Sequence, residues 1–316
     1  CSNRDPSVKK VGGGELNSEA AAVDLKDLER SWFRPRTIVS AMLSGLTWLI
    51  ALLACVPLFS VLYMLIVKGG SRLSWEVFVE LPPAAFEVGG GFGNAIVGTG
   101  VMVGIAAALS VPAGILISVY LSEFGRATRV ASISRFCIKT LTGMPSILAG
   151  VFAYAAVVLT TGGYSAPAGG VALALLMLPT VVLTAEEALK MVPKIMREAA
   201  YGMGCTPSQV VWKVVIPTGL SGVLTGVMLA VARASGETAP LLFTALFSDY
   251  WIAQQGEIAL MEPTASLAVL IYNYSGMPFD NQIELAWAAS LVLVLLVLIT
   301  NAIGRLLSAR QIGLRR

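Results

Sequence analysis

The chain has 316 residues, 56% of them hydrophobic and 13% charged, with a net charge of +3 and a mean hydropathy of +0.77. Soluble domains carry about 25% charged residues, so an ordinary soluble fold is excluded. The chain has no histidine, which removes the commonest general base and the commonest metal ligand together.

Residues 1–36 form a polar tail. Within it, Ser18 to Phe33 has a weak amphipathic pattern, and Ser31-Trp32-Phe33-Arg34-Pro35-Arg36 is expected to be an interfacial anchor, with aromatic rings and arginines at headgroup level. The first residue is Cys1. A basic tail argues against a lipidated, outward-facing cysteine, and a truncated or trimmed start is expected instead. No cleavable signal peptide is expected, because the first apolar run starts at Thr37. Four runs, Thr37–Val67, Val88–Ser122, Thr140–Ala185 and Leu285–Gly304, contain no Asp, Glu, Lys or Arg. A membrane-spanning helix needs about 20 apolar residues. The pattern predicts an all-α polytopic membrane protein with six transmembrane helices, near 40–67, 95–121, 141–161, 169–188, 218–247 and 284–304. Gly162-Gly163 and Ala166–Gly170 divide the third span from the fourth. Gly89–Gly93 reads as a flexible lead into the second. Glu186-Glu187 reads as a solvated helix end. Cys1, Cys55, Cys137 and Cys205 show no paired spacing, so no disulfide framework is expected.

Charge orients these spans. Nineteen Lys/Arg fall in the tail, the 122–139 and 189–217 loops and the C-terminal tail, all on one side of a six-span arrangement. The other side has Lys68 and Arg72. Its last loop, 248–284, has no Lys/Arg and five acids. The positive-inside rule puts both termini in the cytoplasm. The chain divides into a cytoplasmic tail, 1–36, and a transmembrane domain, 37–316.

Two polar features interrupt the apolar runs. The first is EAAYGMGCTPSQVVWKVVIP, Glu198 to Pro217. Glu198-Ala199-Ala200 makes a thin helix that can enter a groove, and Gly204 permits a tight turn. After it come Val214, Ile216 and Pro217, the proline being suited to the first turn of the next span. A plain amphipathic connector is the alternative. The second is Arg233 with Glu237. About 24 Å along a helix begun at Pro217, Arg233 would lie inside the hydrocarbon, where an unpaired charge costs at least about 2.5–3.5 kcal/mol. Four residues apart, the two side chains share a face and can pair. They either line a path for an anion or only fix helix packing. Gly89–Gly93 is not followed by GxxxxGK[ST], so the chain has no P-loop, and energy would come from a partner.

The 198–217 segment fits the pattern EAA, three residues, G, nine residues, I, one residue, LP, with Val and Ile as conservative replacements. It resembles the EAA loop of type I, binding-protein-dependent ABC importer permeases. ARASGETAPLLFTA, with Arg233, Glu237 and Thr238, is similar to the signature of the A-type permeases of phosphate importers. Asn94–Thr99, Gly114–Gly125, Thr142–Ile147, Pro263–Leu267 and Ile271–Tyr274 agree, so the likeness covers a permease core of about 90–305. The resemblance implies the type I permease fold, with Arg233, Glu237 and Thr238 on a phosphate path and 198–217 docking on an ATPase. The partners it implies are a homologous C-type permease, with a homodimer as the fallback, two ATP-binding subunits that hold the ATP, and an external phosphate-binding protein. It implies contact with lipid, no nucleic acid, no cofactor or metal in this chain, and no enzymatic site of its own. Alternatives are a molybdate or sulfate permease, or a passive channel, which would leave the EAA segment unexplained. A membrane enzyme or intramembrane protease is disfavoured by the absence of histidine and of paired intramembrane aspartates.

Overall fold

The computed structural model describes residues 35–125, 128–254 and 257–313. The expectations for Ser18–Phe33 and for most of the interfacial anchor fall outside them. The chain divides into two units, Cys1–Val61 and Leu62–Arg316. In the first, the described residues form most of helix α1 (Pro35–Met64). Its large apolar side chains, among them Met42, Trp48 and Phe59, are exposed within the unit, as suits a helix solvated by lipid.

The second unit is a helical bundle. A π turn, Leu65–Gly69, ends the first helix, and a short α2 (Glu76–Val79) follows. Then come α3 (Gly93–Phe124), α4 (Arg129–Thr142), α5 (Ser146–Thr161) and α6 (Ala166–Lys190). They lead to α7 (Lys194–Gly202) and α8 (Pro207–Ser235), then α9 (Ala239–Thr244), α10 (Leu267–Ser275) and α11 (Asp280–Gly313). Between α9 and α10 lies a two-residue antiparallel ribbon, β1 (Ala253–Gln254) with β2 (Glu257–Ile258). Among the described residues, five helices are long and apolar enough to cross a membrane, or six if α4 and α5 count as one bent span.

α3 against α6 is the main packing surface, with α8 closing on α6 and α11 on α8. Met102, Leu173, Met177, Val181, Leu189, Val215 and Val223 form this core. Small residues let α6 and α8 approach closely, as membrane helices tend to do: a side chain at Gly226 would collide with Thr184. A second core joins Phe92, Leu267, Leu270, Tyr274 and Leu285. The Tyr274 hydroxyl donates to the Pro83 carbonyl at 3.3 Å, and burial pushes this phenol well up, keeping it a neutral donor.

Several local expectations change. The loop near 122–139 contains a helix, α4, capped by the Thr128 hydroxyl, which accepts from the Ala131 amide at 3.2 Å. It meets α5 at 105°, so the third span near 141–161 loses its first turn to that bend. The apolar part that remains, α5, is about 24 Å long, shorter than the roughly 30 Å of a hydrocarbon core. Ala166–Gly170 is the first turn of α6, with Ser165 as its cap, so the break before it rests on Gly162 at φ +78°. Gly89–Gly93 is tightly packed as it enters α3, since a side chain at Gly93 would collide with the Phe78 carbonyl and with Trp251.

Candidate functional site

One end of the bundle gathers the basic segments. There α6 ends at Lys190, and α7 carries Glu198, Ala199 and Ala200. Glu198 and Ala199 are exposed, while Ala200 packs into the core at 1% exposure. Alternation of open and buried faces follows from the helical period and gives α7 a free face bearing Ile195, Glu198, Ala199 and Tyr201. Gly204 has φ +82°, a left-handed conformation that a side chain would strain. That geometry lets Cys205 N–H return to the Ala200 carbonyl at 3.1 Å and close the helix.

α8 then starts earlier than the sequence pattern implies. Thr206 and Gln209 form a reciprocal capping box, the Gln209 side chain accepting from the Thr206 amide at 3.0 Å, and Pro207 occupies the first helical turn. Pro217 therefore lies inside the helix rather than at its start. Its missing N–H and its ring disrupt the ordinary ladder, and the turn just before it, Val211–Val215, is π-helical. Val214 and Ile216 are half-buried against the core.

At the other end of α8, Arg233 Nε lies 3.5 Å from Glu237 Oε1. The side chains are 55% and 19% exposed, so this ion pair is weak as a source of stability. The expected span of 218–247 is corrected here: α8 ends at Ser235, and α9 begins at Ala239 with Pro240 in its first turn. Gly236, and Pro240, which has no N–H to bond the Gly236 carbonyl and whose ring would clash with it, account for the break. Arg233 thus occupies the last turn of α8, about 39 Å from Pro207, rather than the middle of a longer span. Thr238 precedes α9 and is half-buried.

Two side chains at the basic end carry more structure than their positions implied. Arg197 is 7% exposed. It donates to the Val192 carbonyl at 2.7 Å, the Leu189 carbonyl at 2.8 Å and Glu123 at 3.0 Å. α7 is thereby tied to the ends of α3 and α6. Glu186, expected at a solvated helix end, is 4% exposed and meets Arg135 at 2.9 Å and Lys190 at 2.6 Å. Glu187 is the solvated member of that pair. The i,i+4 spacing of Glu186 and Lys190 was a usable signal; the partners of Arg197 and Arg135 were too distant in sequence to be read.

This bundle, with a short helix and glycine turn at its basic end, has the fold of type I ABC importer permeases. It aligns with a chain of the MetNI methionine ABC transporter at a TM-score of 0.57 and 19% identity, covering 70% of this chain and 95% of that one. A chain of a bacterial alginate ABC transporter aligns at a TM-score of 0.58 and 14% identity, covering 90% and 96%. A family model for the binding-protein-dependent transport system inner membrane component matches residues 110–313, and the chain belongs to that family of multi-pass membrane proteins. Relatives include the phosphate transport system permease protein PstA of Yersinia pestis, 36% identical over 297 residues, covering 94% of this chain and 98% of the relative. The protein of the same name from Haemophilus influenzae is 41% identical over 267 residues, covering 84% and 92%.

Proposed function

We propose that the chain is the phosphate-translocating permease subunit of an ATP-binding-cassette importer in the cytoplasmic membrane, with both termini in the cytoplasm. The observation that carries this reading is likeness over nearly the whole chain to permeases named for phosphate transport. Residues 37–316 form the permease domain, and 1–36 its cytoplasmic tail. The exposed face of α7, with Glu198 and Ala199, docks in a groove of an ATPase subunit, while Ala200, Val214, Ile216 and Pro217 seat the loop on the bundle. Gly204 sets the turn between them. Two such ATPases bind the ATP, and this chain supplies no hydrolytic site.

The path for phosphate runs past Arg233, Glu237 and Thr238. An arginine fork fits an oxyanion, and the carboxylate 3.5 Å away keeps the site near neutral, so an anion is attracted without being trapped. The exposed guanidinium fits a pore shared with a homologous C-type permease. An external phosphate-binding protein delivers cargo at the acidic 248–284 segment.

The assembled importer in proteoliposomes tests this. A hydrogen bond from a charged group is worth about 1.5–3 kcal/mol, so Arg233→Gln lowers phosphate uptake by roughly ten- to a hundredfold while subunits still co-purify. Unchanged uptake would leave Arg233 with a packing role and remove it from the path.

A further inference from the structure

At the basic end, a cavity of about 520 Å³ is lined by Arg135 of α4, Lys190 of α6, and Lys194 and Arg197 of α7. Glu186 and Glu123 oppose these four cations, pairing with Arg135, Lys190 and Arg197. Lys194 is exposed and has no ion pair among the described residues. Positive charge therefore exceeds negative charge around the cavity. The groups are also held in place. Arg135 Nη2 donates to the Leu121 carbonyl at 2.7 Å, and three hydrogen bonds fix Arg197. Arg197 Nε is buried without a partner, so the donors of this guanidinium are not all satisfied by the protein. The carbonyl of Leu189 near the end of α6 would repel an anion, but it is occupied by Arg197.

We propose that this cavity is a second anion site, which binds a phosphate group and thereby ties α4, α6 and α7 together. Preordered cations lower the cost of binding, and mixed Arg and Lys donors suit phosphate oxygens. Two sources share this chemistry. One is inorganic phosphate on the side to which the importer delivers it, which rests on the function proposed above. The other is the headgroup of an anionic lipid. α4 favours access to the second, because Val130, Ile133 and Phe136 are exposed along it and it turns 105° from the apolar α5. That is the arrangement of a helix lying in the membrane interface, with Arg135 at headgroup depth. An occupant would brace α7, the element that meets the ATPase, so occupancy would adjust coupling.

The test uses the assembled importer carrying Arg233→Gln, which separates this site from the transport path. One arm measures equilibrium binding of radiolabelled inorganic phosphate. The other counts phosphatidylglycerol retained after purification from phosphatidylglycerol-containing membranes, by native mass spectrometry. Adding Lys194→Gln, at an exposed position outside any ion pair among the described residues, weakens one of the two by about tenfold or more. Loss of phosphate binding assigns the free anion, and loss of retained phosphatidylglycerol assigns the lipid. Lys213→Gln, an exposed lysine outside the cavity, changes neither. If Lys194→Gln leaves both at the level of its parent, the second site does not exist, whatever Arg233→Gln does to uptake.

Discussion

Replacing Arg197 by methionine measures how firmly α7 is anchored. Arg197 and Glu123 have side chains 9% and 8% exposed and lie 3.0 Å apart. The charge-assisted hydrogen bond from Arg197 to Glu123 is worth about 1.5–3 kcal/mol. The carbonyls of Leu189 and Val192 lose their donors as well. Local opening of α7 should then be favoured by about ten- to a hundredfold, since 1.36 kcal/mol is a factor of ten. Hydrogen exchange of the peptide holding Met203, Gly204 and Cys205 reads this directly, because those amides close the end of α7 and exchange through local opening. Arg197→Lys retains one charge but not the planar fork, and its protection should fall between the two. If Arg197→Met leaves protection within about threefold of the parent, the clamp does not hold the segment and this reasoning fails.

Gly204→Ala forces a side chain onto φ +82°, at roughly 1–2 kcal/mol. ATPase co-purification should drop, whereas Gly202→Ala, which meets open space, should leave it unchanged. Thr99→Val removes the hydroxyl that accepts from the buried Leu267 amide at 2.9 Å. The orphaned donor costs about 1–3 kcal/mol, and limited proteolysis between α9 and α10 should be faster; an unchanged cleavage rate would show that the amide finds another acceptor.

Most of the spans were legible because they lie in long runs without charge, and lipid demands that. The Arg233–Glu237 pair was anticipated from helical i,i+4 spacing, although α8 ends at Ser235 and a turn at Gly236 carries Glu237 back beside Arg233. The remainder depended on contacts distant in sequence. Arg197 counts as one more surface charge until Glu123, 74 positions away, is seen beside it. Arg135 meets Glu186 across 51 positions, so a carboxylate that looked solvated is buried. α4 was hidden because its charges resemble those of a loop, although its apolar residues recur at helical spacing. Gly89–Gly93 looked flexible because glycine permits flexibility, and Gly89 does face open space, yet the missing side chains of Gly91 and Gly93 serve close packing against α2 and Trp251.

The two polar features that interrupt the apolar runs are the two ends of one helix. α8 runs 29 residues from Pro207 to Ser235, about 43 Å, more than the roughly 30 Å of a hydrocarbon core. Its first turn is fixed by the Thr206 capping box beside α7, and its last turn carries Arg233. α7 therefore adjoins the base of a rod whose tip holds the ion pair. The π turn at Val211–Val215, followed by Pro217, is where that rod departs from regular α geometry. Irregular turns of this kind are where helices bend. The pattern at Val214, Ile216 and Pro217 thus coincides with an irregular stretch between the capped first turn of α8 and the segment from Val223 onward, which packs on α6.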